Sequence, residues 1–207
     1  MIVYFQPNIR NLFDMTKRWL SVCSLALVVT LSSIQGCAVL AVGAGAAAAK
    51  VAHDRRTVGT QLDDQNAEGK VAFRWSESER LKNETNLQVD IYNGVALITG
   101  QAPDQQLINQ AVEQVKQVEH VRKIHNQVRI GQPLGASAQA YDIWLANKVR
   151  AKLLANENVP TLQVRVVVQH AEVFLMGRVN NQEATYAVDI ARNVEGVTRV
   201  VRAFEIQ

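Results

Sequence analysis

The side chains able to do chemistry are few. The chain of 207 residues holds four histidines, His53, His120, His125 and His170, and two cysteines, Cys23 and Cys37. The histidines form neither an HExxH set nor a His-x-x-x-His pair, the spacings that turn two imidazoles onto one helix face to hold zinc. His120 and His125 have no carboxylate or cysteine spaced to complete a ligand shell. No GxSxG nucleophile elbow is present. Asp63-Asp64 and Glu77/Glu79 could pair as general acid and base if burial raised one of the two, but their segments are polar and should stay solvated. Gly43-Ala44-Gly45-Ala46-Ala47-Ala48 imitates a dinucleotide fingerprint without the preceding strand or the later acidic residue. The expectation is a chain that is not an enzyme, with no metal and no cofactor. Two features remain: a cysteine behind an apolar run, and a tryptophan set among basic residues.

The cysteine is Cys37. Lys17 and Arg18 precede an apolar stretch, Trp19 to Leu31, and Ser32-Ser33-Ile34-Gln35-Gly36 leads into Cys37. A basic patch, a short apolar core and small residues before a cut form a secretory signal. The run is shorter than the ~20 residues that span hydrocarbon. Ile34-Gln35-Gly36-Cys37 resembles a bacterial lipobox, which implies cleavage before Cys37, a thioether-linked diacylglycerol on its sulfur and an acyl group on its nitrogen. Residues 1–36 are then a signal peptide, with Met15 the expected start, and 37–65 an acylated cysteine and flexible tether. Several acyl chains, at ~0.8 kcal/mol per buried methylene, hold a protein on a bilayer essentially permanently. Cleavage removes Arg10, Lys17 and Arg18 but only Asp14, so most of the formal charge of +3 belongs to the leader. Global charge is therefore no argument for an anionic partner, and dispersed basic residues on a secreted chain predict no nucleic-acid binding.

The tryptophan is Trp144. At about 100° per residue, Leu145, Ala146, Val149 and Leu153 share one helix face and predict the core side. Trp144 falls opposite them, with Ala151 on one side and Lys148 on the other. Ile143 and Leu154 also miss the core stripe, and Lys152 lies beyond Lys148. An outward indole beside basic groups suits the bilayer interface, where the ring sits at headgroup depth and Lys or Arg meets phosphate. The candidate lipid-binding residues are Trp144, Ile143, Ala151, Lys148, Arg150 and Lys152. The competing reading packs Trp144 against the other half of the chain.

A repeat positions these residues. Leu87-Gln88-Val89 matches Leu162-Gln163-Val164, Val118-Glu119-x-Val121 matches Val194-Glu195-x-Val197, and Gly100 matches Gly177. In the first copy Leu87, Val89 and Ile91 alternate as a strand. Asn93-Gly94 is a type I′ hairpin signal. Val95 to Thr99 returns, and Gly100 should close that strand. Pro103-Asp104 opens a helix whose Leu107, Ile108, Ala111, Val112 and Val115 share a face. Lys123 to Ile130 is the last strand. A leading helix over 66–83 is expected, although its apolar residues are bunched, and Lys50 to Asn66 reads as linker. In the second copy Ser137 to Leu154 is a helix. Leu162 to Gln169 and Glu172 to Met176 form a hairpin across His170-Ala171. Asn181 caps a helix toward Val194, and Thr198 to Ile206 is the last strand. The fold class is α+β: two tandem α-β-β-α-β modules, 66–131 and 138–207, joined by 132–137, each a small mixed sheet packed with two helices.

This arrangement resembles BON domains, the bacterial osmotic-shock and nodulation type, through the hairpin glycine, the strand glycine and Val194-Glu195-Gly196-Val197. His120 stands where the first copy should have that last glycine, and His170-Ala171 lacks the hairpin glycine. The mature chain is similar to the tandem-BON, lipid-binding lipoproteins associated with division and outer-membrane stress. The shared peptides are Gln35-Gly36-Cys37, Val58-Gly59-Thr60-Gln61-Leu62-Asp63-Asp64, Trp144 with Lys148-Val149-Arg150, and Val173-Phe174-Leu175-Met176-Gly177. The resemblance implies a periplasm-facing lipoprotein of the outer membrane. It implies binding of an anionic phospholipid membrane through the second module, and links to envelope integrity and division sites. Ala38 also lacks the aspartate that retains many such lipoproteins at the inner membrane. The alternative is a periplasmic adaptor that docks on outer-membrane assembly, division or peptidoglycan-linked proteins through sheet edges or the Trp144 face.

Overall fold

The computed structural model describes residues 54–207. The expected signal peptide, Cys37 and the expected tether as far as residue 53 lie outside the described residues.

The first helix, α1 (Val58–Glu77), starts inside the stretch expected to be linker. Thr57 caps it, its hydroxyl accepting from the Thr60 N–H at 3.1 Å. Its inward stripe is Asp64, Ala67, Val71 and Trp75. The first position of that stripe is a carboxylate, so apolar periodicity could not find the true start of the module. Ser78 leaves helical geometry, closes α1 and caps a short α2 (Glu79–Glu84). The hairpin β1 (Asn86–Tyr92) and β2 (Val95–Ala102) follows. Then come α3 (Gln105–Lys116) and two short strands, β3 (Lys123–Asn126) and β4 (Arg129–Ile130). The expected strand over 123–130 is thus interrupted, without a change of register against β2. Between the two pieces the Asn126 carboxamide accepts the Val128 N–H at 3.1 Å, a local turn of side chain onto backbone.

The second module repeats the plan with α4 (Ala136–Leu154), a 3-10 turn at Thr161–Gln163, β5 (Val164–Gln169), β6 (Glu172–Val179), α5 (Asn181–Arg192) and β7 (Arg199–Ile206). Residues 162 and 163, expected in the strand, belong to the 3-10 turn. The cap of α5 is Asn180, one residue before the expected Asn181. Its side chain accepts the Glu183 N–H while the Glu183 carboxylate accepts the Asn180 N–H, a full capping box. Each sheet places its second strand centrally, antiparallel to the first and parallel to the last. Gly100 and Gly177 do not close their strands, which run two residues farther. A Cβ at either would stand 1.9 Å from a backbone carbonyl oxygen at the start of the facing chain, that of Asn86 in β1 or of Gln163 just before β5. These glycines mark a close backbone approach.

The helices of each module cover one face of its own sheet. Ala67, Val71, Trp75, Leu107, Ala111 and Val115 close the first core on Ile91, Ala96 and Ile98. Leu145, Val149, Leu153, Ala187 and Ala191 close the second on Val166, Val168, Val173 and Leu175. The other faces of the two sheets meet each other. Tyr92 and Leu97 pack on Val167, Phe174, Met176 and Ala203 in a third core that joins the modules. Burial there pushes the Tyr92 hydroxyl up to about 12. Ion pairs rim the seam: Arg165 with Glu68 (2.5 Å) and Asp90 (3.6 Å), and Arg129 with Glu172. Burial raises the Asp90 carboxyl against the opposing pull of Arg165. The irregular segment before α1 also bridges the modules. Arg56 lies over the Tyr92 ring at 3.7 Å and pairs with Asp54 and Asp64, while Arg55 forks onto Glu183 at 2.8 and 2.9 Å.

Candidate membrane-facing surface

The helix α4 is apolar on two sides. Leu145, Ala146, Val149 and Leu153 are buried, as their spacing predicts. Trp144 keeps 51% of its surface exposed and Ile143 65%, and Leu154 is more open still. The Trp144 ring has neighbours on its own helix. Tyr141, one turn earlier, lies with its ring centroid 5.5 Å away, and the Lys148 ammonium sits 4.8 Å from the indole centroid. Lys148 also donates to the Glu195 carbonyl at 3.1 Å, which ties the helix to the loop before β7. In that loop Gly196 adopts φ +99°, and a Cβ there would meet the Tyr141 hydroxyl at 2.4 Å. The glycine lets Tyr141 lie flat under the loop, and Tyr141 in turn supports Trp144.

The remaining candidates divide. Ala151 and Lys152 are exposed on the same helix. Arg150 turns toward β5, one Nη donating to the Val166 carbonyl at 2.8 Å and the other to Asn147 at 3.0 Å. Arg150 is itself exposed, as Ala151 and Lys152 are. Tyr141 and Glu195 belong to the surface and were not among the residues expected there. The signal for Tyr141 was available, since it stands three residues before Trp144 and so shares its face.

The repeat supplies a reference for this surface. Aligning the buried stripes Ala67, Val71, Trp75 and Leu145, Val149, Leu153 sets Asp63 at the place of Tyr141, Asn66 at Trp144 and Lys70 at Lys148. The loops set Glu119 at Glu195 and His120 at Gly196. In the first module these residues line an open polar notch. The lysine and glutamate recur in both copies, whereas the aromatic pair belongs to the second.

Both modules share a clamp that resolves the Asp63-Asp64 question. Asp64, 2% exposed, accepts the backbone N–H groups of Asn93 and Gly94 at 2.7 and 2.9 Å. Asp142 accepts those of His170 and Ala171, both at 2.8 Å. Each is the helix-to-hairpin brace of its module. All four turn residues have positive φ, including His170 at 56° and Ala171 at 57°, where an L side chain is strained. The carboxylate holds the turn in that shape. His120, at φ 84°, adds a ring nitrogen to Asp64 at 2.7 Å. Among the described residues no three or more His, Cys, Asp or Glu side chains converge on a metal-sized site, and no helix is long and apolar enough to cross a membrane.

Comparison with known proteins agrees with this architecture. The BON domain family matches residues 63–132 and 141–207. The outer membrane lipoprotein DolP of Haemophilus influenzae is 35% identical over 172 residues, covering 83% of this chain and 89% of the relative. The 21 kDa hemolysin of Actinobacillus pleuropneumoniae is 37% identical over 149 residues, covering 72% and 77%. The osmotically-inducible protein Y of Escherichia coli is 29% identical over 154 residues, covering 73% and 76%. The family consists of non-catalytic scaffolding modules, in keeping with the structural role of Asp64. The chain belongs to the BON-domain family, as a tandem BON protein closely related to the lipoprotein DolP.

Proposed function

We propose that this protein is a lipid-anchored component of the outer membrane, facing the periplasm, whose second module reads anionic phospholipid. Kinship with an outer membrane lipoprotein, an osmotically inducible protein and a hemolysin supports a general role in envelope stress and lipid association. Acylated Cys37 is the anchor. Trp144, Ile143, Ala151 and Leu154 are the residues that enter the interface, Lys148 and Lys152 the groups that meet phosphate, and Arg150 contributes through the position of β5. The observation that carries the reading is the difference between the repeats. The first module folds with Asn66 where the second exposes Trp144, so the fold does not require an indole there. An exposed aromatic that folding does not require, backed by Tyr141 and topped by an ammonium, has the composition of a membrane-interface anchor.

Vesicles of phosphatidylcholine with and without phosphatidylglycerol test the proposal. Binding should need phosphatidylglycerol and weaken with salt, since each basic group near an anionic surface contributes about 1 kcal/mol within a Debye length. Trp144→Glu should abolish binding while leaving the fold intact. Equal binding by that variant would refute the anchor, and no vesicle affinity in the parent would favour the adaptor reading.

A further inference from the structure

We infer that the second module holds a pocket for an arginine side chain of a protein partner, with Asp142 as its charged wall. The pocket, 460 Å³ in volume, opens between the linker, the first turns of α4 and the turn that joins β5 to β6. Leu134, Ala138, Tyr141, Ala171 and Thr198 surround Asp142 there. Asp142 is the one acidic group in the lining, and no lysine or arginine stands beside it. The volume is that of a small-ligand pocket, and the walls are mainly apolar with few polar groups, as such pockets are.

The first module shows what such a carboxylate takes. Asp64 Oδ1 accepts the Gly94 N–H at 2.9 Å and meets the His120 ring nitrogen at 2.7 Å. Its Oδ2 accepts the Asn93 N–H at 2.7 Å and the Arg56 guanidinium at 2.8 Å. Each oxygen therefore holds one turn N–H and one side-chain donor. Arg56 is also stacked over the Tyr92 ring, 3.7 Å from its centre. The second module keeps the turn N–H groups and loses both side-chain donors. Counted from the helix caps Thr57 and Gly135, Leu134 stands at the place of Arg56, and Gly196 replaces His120. Among the described residues Asp142 accepts only the Ala171 N–H on Oδ1 and the His170 N–H on Oδ2. A carboxylate offers about four acceptor positions. Asp142, 5% exposed, is thus half-satisfied on the wall of a pocket, where an ionised group gains most from a paired charge.

A guanidinium on an aliphatic stem matches this wall. Its fork can donate one N–H to each carboxylate oxygen. Its stem lies along Leu134 and Ala138, and Tyr141 offers the ring that Tyr92 offers to Arg56. The arginine comes from a segment without regular structure, as Arg56 does. An ethanolamine headgroup also carries a cation, but its phosphate would be brought against the same carboxylate. Neither Trp144 nor Lys148 lines the pocket, so the site is distinct from the membrane-facing surface.

Titration of the full-length protein in nonionic detergent micelles with the peptide acetyl-Gly-Arg-Thr-Gly-amide, followed by NMR, tests the pocket. Saturable shifts of the His170 and Ala171 amides are expected, with Kd about 1 mM. Replacing the arginine of the peptide by citrulline, which keeps its shape without its charge, should weaken binding about tenfold or more. Leu134→Arg rebuilds the first-module arrangement within the chain. Its backbone is held by the Gln101 and Gln139 side chains, so the linker stays in place. The variant should melt about 3 °C higher than the parent, and it should no longer bind the peptide. No saturation up to about 10 mM, a concentration that still reports millimolar affinity, would overturn the inference. So would equal affinity for the citrulline peptide, or unchanged binding by Leu134→Arg. Displacement of the peptide by an equal concentration of phosphoethanolamine would also overturn it, in favour of a lipid headgroup.

Discussion

The two modules share a scaffold and differ in what they show to solvent. In both, three apolar residues of the first helix close on the sheet, and a buried aspartate on that helix braces the hairpin turn. In both, a lysine and a glutamate stand at the same place beside the loop before the last strand. The floor between them is Asp63, Asn66 and His120 in one copy, and Tyr141, Trp144 and Gly196 in the other. The positions that hold the fold are constrained by packing and buried polar satisfaction. Asn66 and Trp144 are under neither constraint, whereas His120 still serves Asp64 and Gly196 makes room for Tyr141.

The brace gives the largest expected effects. Asp64 collects two backbone N–H groups, the Arg56 guanidinium at 2.8 Å and His120, whereas Asp142 collects the two N–H groups alone. Asp64→Ala should destabilise by about 3 kcal/mol, because it removes one of the two carboxylate partners of a partly buried arginine as well as the brace of the turn. Asp142→Ala should cost about 2 kcal/mol. Urea denaturation of both variants checks the order, and equal losses would show that Arg56 and His120 add nothing to the brace.

The loops come next. Gly196→His copies the first module into the second and forces a side chain onto φ +99° beside the Tyr141 hydroxyl. A loss of about 2 kcal/mol is expected from strain and displacement of Tyr141. It should be accompanied by weaker binding to phosphatidylglycerol vesicles. The reverse change, His120→Gly, relieves strain but removes the contact to Asp64, so its net effect should be under about 1 kcal/mol. Thermal melts of the pair test whether the loop residue matters only where the tyrosine lies under it.

Smaller effects belong to the surface. Trp144→Asn makes the second face resemble the first. It should lower vesicle affinity about tenfold while changing stability by no more than about 0.5 kcal/mol, as for exposed positions generally. Lys148→Ala should lower it about fivefold at low salt and less at high salt. If Trp144→Asn destabilises the fold instead, the divergence between the copies is structural.

The smallest effect concerns the segment that straps the modules together. The fork from Arg55, outweighing a smaller opposing effect of burial, holds the Glu183 carboxyl below its ordinary range. A depressed carboxylate stabilises the folded state fully above its unfolded pKa, and the contribution is lost as pH falls through the lower, folded value. The strap should therefore hold at about pH 5 and loosen below about pH 4, given an ordinary Glu near 4.3. The Arg55 N–H, which donates to Gln163 at 2.8 Å, is a hydrogen-exchange reporter of that release.

Much of this was legible beforehand. Periodicity located the buried stripe of α4, and the outward place of Trp144 followed from the same wheel. The hairpins were legible even at His170-Ala171, because the repeat pointed to a turn where turn chemistry did not. The start of α1 was missed because its stripe begins with Asp64, a residue that polarity assigns to solvent. The brace was invisible for the same reason: its partners are backbone N–H groups at least 28 residues away. Arg150 was grouped with the surface by its charge, and its link to the Val166 carbonyl depends on how α4 lies across β5.

The deepest division lies at the seam between the sheets. Sequence alone determined the duplication, the order of elements, the helical core stripes and the outward tryptophan, because these depend on periods of two and 3.6 residues within a segment. It also held a clue to more. All eight residues of β2 are buried, and strands buried on both faces read as near-continuous apolar runs. That pattern says a strand is covered twice without saying by what. Only the tertiary structure decided that the second cover is the other module, with Leu97 and Tyr92 against Phe174 and Met176. Packing between distant segments leaves no period in either of them.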